Sequence, residues 1–363
     1  MKKNQTLQIL RAGAAIGVVA FHLLQVSASR FGTQASFGLG SWGVDVFFVI
    51  SGFVVAASGL RVRSPILFLR QRFARIVPLY WLLTFAIFVV AVVTPSMLKS
   101  TVADPVYLLK SLLFIPYRRE SGAIEPLLYQ GWTLNYEIFF YLVLGLSLAL
   151  TSQPLFFLFA LFISIVALGI VFTPHSVVMS FYTSNIILEF TYGAALHRVT
   201  AGGCRTWTGQ WILLPLGLGT LCATFYFLPA WPRCITAGIP AAAIVAGAVA
   251  IPNKDRPLLR WAEALGDASY SIYLVHAFMV IAASIVAIRL FGGAHPNLAL
   301  LCMTVVAFLG TIMSSLALYR FFERPVSLWL SARRPQVRSN NLGAYHRLEQ
   351  ISRSARFSGA HVK

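Results

Sequence analysis

The sequence predicts an all-α integral membrane protein, a polytopic bundle of about ten transmembrane helices, and three observations carry that expectation. Of the 363 residues, 58% are hydrophobic and 11% charged, with a mean hydropathy of +0.75, which is far from a soluble domain. Apolar runs of about 20 residues, the length a helix needs to cross hydrocarbon, recur along the chain. The 29 lysines and arginines are shared unevenly between the two sets of connections that separate these runs.

The runs lie near residues 7–26, 41–60, 76–95, 132–150, 155–173, 177–197, 209–228, 234–251, 268–290 and 298–319. With the N-terminus in the cytoplasm, the cytoplasmic flanks and tail hold 22 of the 29 cations, including Arg11, Arg61, Arg63, Arg70, Arg72 and Arg75. The other 7 are Arg30, Lys99, Lys110, Arg118, Arg119, Arg233 and Arg289. By the positive-inside rule both termini are cytoplasmic. The net charge of +18 is then mainly topological, and no nucleic-acid partner is expected.

The first run lacks a small-residue cleavage site and carries Arg11, so it is expected to stay as a helix rather than leave as a signal peptide. Cys204, Cys222, Cys234 and Cys302 have no metal-ligand spacing and are read as packing residues, so no metal is expected. Residues 1–332 form one transmembrane domain, followed at 333–363 by a basic tail, disordered or lying on anionic lipid.

In the first helix, LQILRAGAAIGVVAFHLLQV, Arg11 and His22 are eleven residues apart. That is close to three turns, so they share a face about 16 Å apart along the axis. Ionisable residues in hydrocarbon are costly and tend to mark a site or pathway. The second helix, GSWGVDVFFVISGFVV, places Asp45 at a depth expected to match His22, where a carboxylate would fix the imidazole tautomer and make it a better base. The alternative is that Asp45 pairs structurally with an arginine or caps a helix. Ser51 and Gly52 read as close-packing residues rather than nucleophilic chemistry.

LRVRSPILFLRQRFARIVPLYW then carries five arginines within fifteen residues. Arg72 and Arg75 share a helical face with Arg70 nearby, which suits a polyanion held by planar guanidinium forks. A positive-inside loop touching lipid phosphates is the other reading, and sequence physics leaves both open. In QGWTLNYEIFFY, Trp132 and Tyr136 read as interfacial, whereas Glu137 is followed by apolar residues and needs a partner or an aqueous cavity. His22, Asp45 and Glu137 are thus expected to form an acid–base cluster open to the outside. In LGDASYSIYLVHAF, Tyr270, Tyr273 and His276 line one face, either as part of the same pathway or as hydrogen-bonded core. Glu323, in YRFFERP, reads as part of an interfacial ion network.

Taken in order, the Arg11-x10-His22 spacing, GVDVFFVISGF, Arg72 and Arg75 before Pro78 and Tyr80-Trp81, GWTLNYEIFFY, SYSIYLVH and the closing ERP resemble acyltransferase family 3 over about residues 5–326. These are integral membrane O-acyltransferases of bacterial polysaccharides, and GWTLNYEIFFY is similar to the branch that includes exopolysaccharide-production O-acetyltransferases. The resemblance implies a ten-helix core in the bacterial inner membrane, acetyl-CoA or another acyl-CoA as donor rather than a tightly bound cofactor, and a polysaccharide or lipid-linked oligosaccharide acceptor. Membrane lipid is the surrounding partner. Some members carry a fused extracytoplasmic SGNH hydrolase-like domain, which is not seen here.

On that reading Arg70, Arg72 and Arg75 hold coenzyme A phosphates and Arg11 sits nearer the membrane mouth, with Tyr270, Tyr273 and His276 along the donor path. His22 is the general base toward a sugar hydroxyl, or carries the acyl group covalently. Asp45 orients it, and Glu137, Trp132, Asn135 and Tyr136 serve the acceptor side. A proton-coupled transporter of a lipid-linked sugar would also place His, Asp and Glu in the membrane, but it would usually show internal repeats, and none is found. A purely structural membrane protein would not need buried charges on separate helices.

Overall fold

A computed structural model describes residues 4–33, 41–62, 64–94, 102–201, 209–252, 257–291 and 295–332. The tail expected at 333–363 lies outside them, as do Arg63, Lys99, Arg205 and Cys204. The chain runs α1 (Gln5–Phe31), α2 (Gly43–Val62), α3 (Pro65–Val93), α4 (Pro105–Leu112), α5 (Gly131–Leu150), α6 (Pro154–Phe172) and α7 (Val177–Tyr182). It continues as α8 (Leu188–Ala201), α9 (Leu213–Phe227), α10 (Ile239–Ala250), α11 (Arg260–Asp267), α12 (Ser269–Phe291), α13 (Pro296–Leu318) and α14 (Arg324–Ala332).

Among the described residues eight helices are long and apolar enough to cross a membrane. The runs expected near 177–197 and 234–251 form shorter pieces. The first divides into α7 and α8 around a 3-10 turn at Asn185–Ile187, and the second enters α10 through a π-turn at Cys234–Gly238. Phe156, Ile170, Val171, Phe172 and Val93 are more than 70% exposed, as side chains whose solvent is lipid should be. The chain is a multi-pass membrane protein.

Among the described residues of the arginine-rich stretch, Arg61 lies in α2 and Arg70, Arg72 and Arg75 lie in α3. Ser64 caps Leu67 N–H and Pro65 takes the first turn, where its missing N–H costs nothing, so α3 begins eleven residues before the expected start. Pro78 lies inside α3, and near it the Tyr270 hydroxyl bonds the Ile76 carbonyl at 2.7 Å, tying α12 to this helix. At the far end of the chain a π-turn at Tyr319–Glu323 joins α13 to α14 without a break.

Small residues set how closely the helices approach. A Cβ on Gly193 would stand 2.0 Å from the Val49 carbonyl oxygen, and one on Gly52 would stand 2.1 Å from that of Phe190, so α2 and α8 touch backbone to backbone. Gly193→Val is expected to destabilise the fold by about 3 kcal/mol, through overpacking against an immovable carbonyl. Thermal unfolding in detergent measures it, and a melting temperature equal to wild type would refute the contact. Gly266 lies in the same way against Gln8, and this seats α11 on the first turns of α1 and brings Arg11 to the start of α12.

The segment between α4 and α5 folds into a cap. The Arg119 guanidinium donates to the carbonyls of Glu125, Pro126 and Leu127, while Ser111 Oγ accepts the Leu127 N–H at 2.9 Å. Those bonds hold residues 127–130 over the start of α5.

Candidate active site

A cavity of about 100 Å³ lies inside the bundle, and five helices wall it. α1 supplies Arg11, α2 Ser51 with Phe47, α3 Arg72 and Arg75, α5 Thr133, Glu137 and Tyr141, and α12 Ser269, Tyr270 and Tyr273. Arg11 donates to Ser269 Oγ at 2.8 Å and to Gln8 Oε1 at 3.3 Å. Arg72 donates to Ser58 Oγ at 2.6 Å, and its buried Nε–H has no partner. Glu137 accepts Ser51 Oγ–H at 2.8 Å and Tyr141 O–H at 2.5 Å. Three guanidinium groups thus face one carboxylate on the lining. A second carboxylate, Glu323, is buried nearby on a bond from Ser271 Oγ and interacts electrostatically with Arg11 and Arg75. Glu323 therefore turns inward at the π-turn, with Arg75 and Arg11 as its cationic neighbours.

Arg70 belongs elsewhere. Its Nε and Nη2 donate to the Leu330 carbonyl at 2.9 and 2.6 Å, which holds α14 against α3. Two residues along the helix turn Arg70 about 160° away from Arg72, given 3.6 residues per turn. Of the four arginines expected at the donor site, Arg11, Arg72 and Arg75 line this cavity and Arg70 does not.

Asp45 does not meet His22. Gly43 packs against Ala14 and Val18 of α1, so Asp45, further along α2, lies well below His22, which is four residues beyond Val18 in the opposite direction. Asp45 is fully buried and accepts both Nε–H and Nη2–H of Arg233, at 2.7 and 2.8 Å. Glu189, also fully buried, lies within electrostatic reach of both. The expected His22–Asp45–Glu137 cluster is thereby dispersed: Asp45 is held by Arg233, Glu137 sits among the cavity arginines, and His22 stands apart from both.

What His22 meets is His276. Their ring centroids are 4.9 Å apart, and Tyr129, from the folded cap, lies 5.3 Å from His22. His22 Nδ1 is 3.0 Å from the Val18 carbonyl, and His276 Nδ1 is 2.7 Å from that of Tyr273. A carbonyl only accepts, so each Nδ1 carries a proton, and in the neutral form of either ring the lone pair is on Nε2. Of the residues expected along the donor path, Tyr270 and Tyr273 lie on the cavity wall and His276 does not; His22 is off it as well. Tyr273 links the two places: it lines the cavity, its ring is 6.0 Å from that of His276, and its hydroxyl pairs with Thr133 and the Gln130 carbonyl.

Trp132, Asn135 and Tyr136 are likewise absent from the cavity lining. Tyr136 stacks on Phe181 at 4.1 Å and bonds its carbonyl, Trp132 packs edge-on to Phe48 and Tyr136, and Asn135 is buried. Phe48 of α2 and Phe181 and Tyr182 of α7 make this an interior position rather than an open interface. Sequence reasoning passed over Glu189, although a carboxylate in the apolar run IILEFTYG was a usable sign. It also passed over Tyr141 and Ser269, which look like ordinary helix residues until their partners are known.

An all-helical membrane bundle with a cationic interior cavity beside two histidines is the class of protein defined here. A family model described as an acyltransferase domain matches residues 4–320. The chain belongs to this family, acyltransferase family 3, and is a membrane acyltransferase. It is 35% identical over 308 residues to the exopolysaccharide production protein ExoZ of Rhizobium meliloti (strain 1021), covering 81% of this chain and 92% of that protein. It is 30% identical over 380 aligned residues to the acyltransferase MdmB of Streptomyces mycarofaciens, covering 90% and 92%. No solved structure gives a significant match.

Proposed function

We propose that this protein moves a short acyl group, acetyl in the simplest case, from cytoplasmic acyl-CoA to a hydroxyl of an exported polysaccharide or its lipid-linked precursor at the bacterial inner membrane. The observation that carries this reading is the cavity where Arg11, Arg72 and Arg75 outnumber Glu137, with Arg11 on the same face of α1 as His22. Guanidinium groups suit phosphate-rich polyanions, and the unpartnered Arg72 Nε–H is a donor that an incoming anion satisfies. The arginine-lined space would take a phosphate of the donor, with the thioester arm reaching from it past Tyr273 toward His22. The roughly 16 Å from Arg11 to His22 is of the order of a pantetheine arm. The printed name of the Rhizobium relative supports a polysaccharide acceptor.

In this mechanism His22 Nε2 accepts the proton of the acceptor hydroxyl as its oxygen attacks the thioester carbonyl. Glu137 holds Ser51 and Tyr141 in place and balances part of the arginine charge. The test is transfer of radiolabelled acetyl from acetyl-CoA by protein in detergent. Arg72→Ala is expected to raise the KM for acetyl-CoA at least about ten-fold, the usual weight of a charged hydrogen bond, whereas Arg70→Ala leaves it near wild type. Equal effects of the two substitutions, or no acetyl transfer by the wild-type protein, would overturn the reading.

A further inference from the structure

His276 is fully buried, and its Nε2 has no hydrogen-bond partner. A buried acceptor left bare is costly, and buried polar atoms without partners often await a ligand or a reaction step. The ring facing it is His22, at 4.9 Å between centroids, with the planes inclined by 50°. Both rings are oriented by Nδ1 contacts with carbonyls of their own helices, which leaves each Nε2 pointing away from its own helix backbone, and that of His276 is buried without a partner. The two carboxylates expected to support His22 are bonded elsewhere, Asp45 to Arg233 and Glu137 to Ser51 and Tyr141. When His22 takes a proton it becomes an imidazolium inside the membrane domain, and such a charge needs a partner.

We propose that His276 is the proton-holding partner of His22, its bare Nε2 accepting the hydrogen bond, and in turn the proton, of the His22 imidazolium. This rests on His22 being the base for acyl transfer. The acceptor O–H bond breaks as its oxygen bonds the thioester carbonyl carbon, and the proton passes to His22 Nε2 and is held between the two Nε2 atoms. The C–S bond then breaks, and the departing thiolate takes up that proton. Ester and free thiol leave, and both rings are again neutral. His276 is a positioning residue on this account, acting through His22.

The test uses the full chain in membrane vesicles, radiolabelled acetyl-CoA as donor, and the polysaccharide fraction of the producing cells as acceptor. His276→Asn keeps a donor for the Tyr273 carbonyl and removes Nε2. It is expected to lower kcat about 100-fold with the KM for acetyl-CoA unchanged. His276→Ala is expected to regain turnover with added imidazole and not with pyrrole, a ring of the same size without the basic nitrogen. A kcat for His276→Asn close to wild type, or equal rescue by the two rings, would overturn the proposal. In either case an inactive His22→Ala leaves His22 standing as the base, whereas an active His22→Ala removes His22 from that role, and with it the footing of this proposal, while acyl transfer itself still stands.

Discussion

His22→Ala is expected to lower acyl transfer by about 10³-fold, within the range by which a positioned acid–base group accelerates proton transfer, while acetyl-CoA still binds. On the proposed function the two effects separate, because the cavity arginines and His22 lie at different places. Arg11, Arg72 and Arg75 line the cavity, whereas His22 is off its wall beside His276. Steady-state kinetics in detergent measures both terms, kcat for chemistry and KM for donor binding. Wild-type acetylation by the purified variant would eliminate His22 as base and as covalent carrier alike. Radiolabel retained on the wild-type chain without acceptor, and lost in His22→Ala, would select the covalent route.

Arg233→Ala is expected to destabilise the protein by about 3–5 kcal/mol, the cost of leaving a buried charge without its partner. Asp45 and Glu189 are both fully buried, and Arg233 is the cation that Asp45 binds through two hydrogen bonds. The opposite truncation should be milder. The Arg233 side chain is 39% exposed and stays partly solvated once Asp45 is neutral. Adding Asp45→Asn to Arg233→Ala should therefore recover part of the lost melting temperature. If Arg233→Ala unfolds like wild type, or if Asp45→Asn abolishes turnover in a protein of undiminished stability, Asp45 returns to the chemistry.

The apolar runs were legible because spanning length and hydropathy are properties of a single segment. The shared face of Arg11 and His22 was legible for a related reason, since helical periodicity within one segment places both. Arg72 and Arg75 were legible in the same way, and both line the cavity. Arg70 was not, because its partner is the Leu330 carbonyl, 260 residues away on a helix whose docking the local pattern does not encode. Asp45 looked level with His22 only while α1 and α2 were assumed to begin and end together. The contact of Gly43 with Ala14 and Val18 displaces one helix along the other.

By itself the sequence determined the membrane class, most of the spanning segments and the residue types available for chemistry, because these depend on composition and on periodicity within one helix. Tertiary structure alone decided who meets whom: His22 with His276, Asp45 with Arg233, and Glu137 among the cavity arginines. The physical reason is that the partner of a buried polar group depends on how far one helix slides and turns against another. That register is set by small-residue contacts such as Gly52 and Gly193 and by chain segments far apart in sequence.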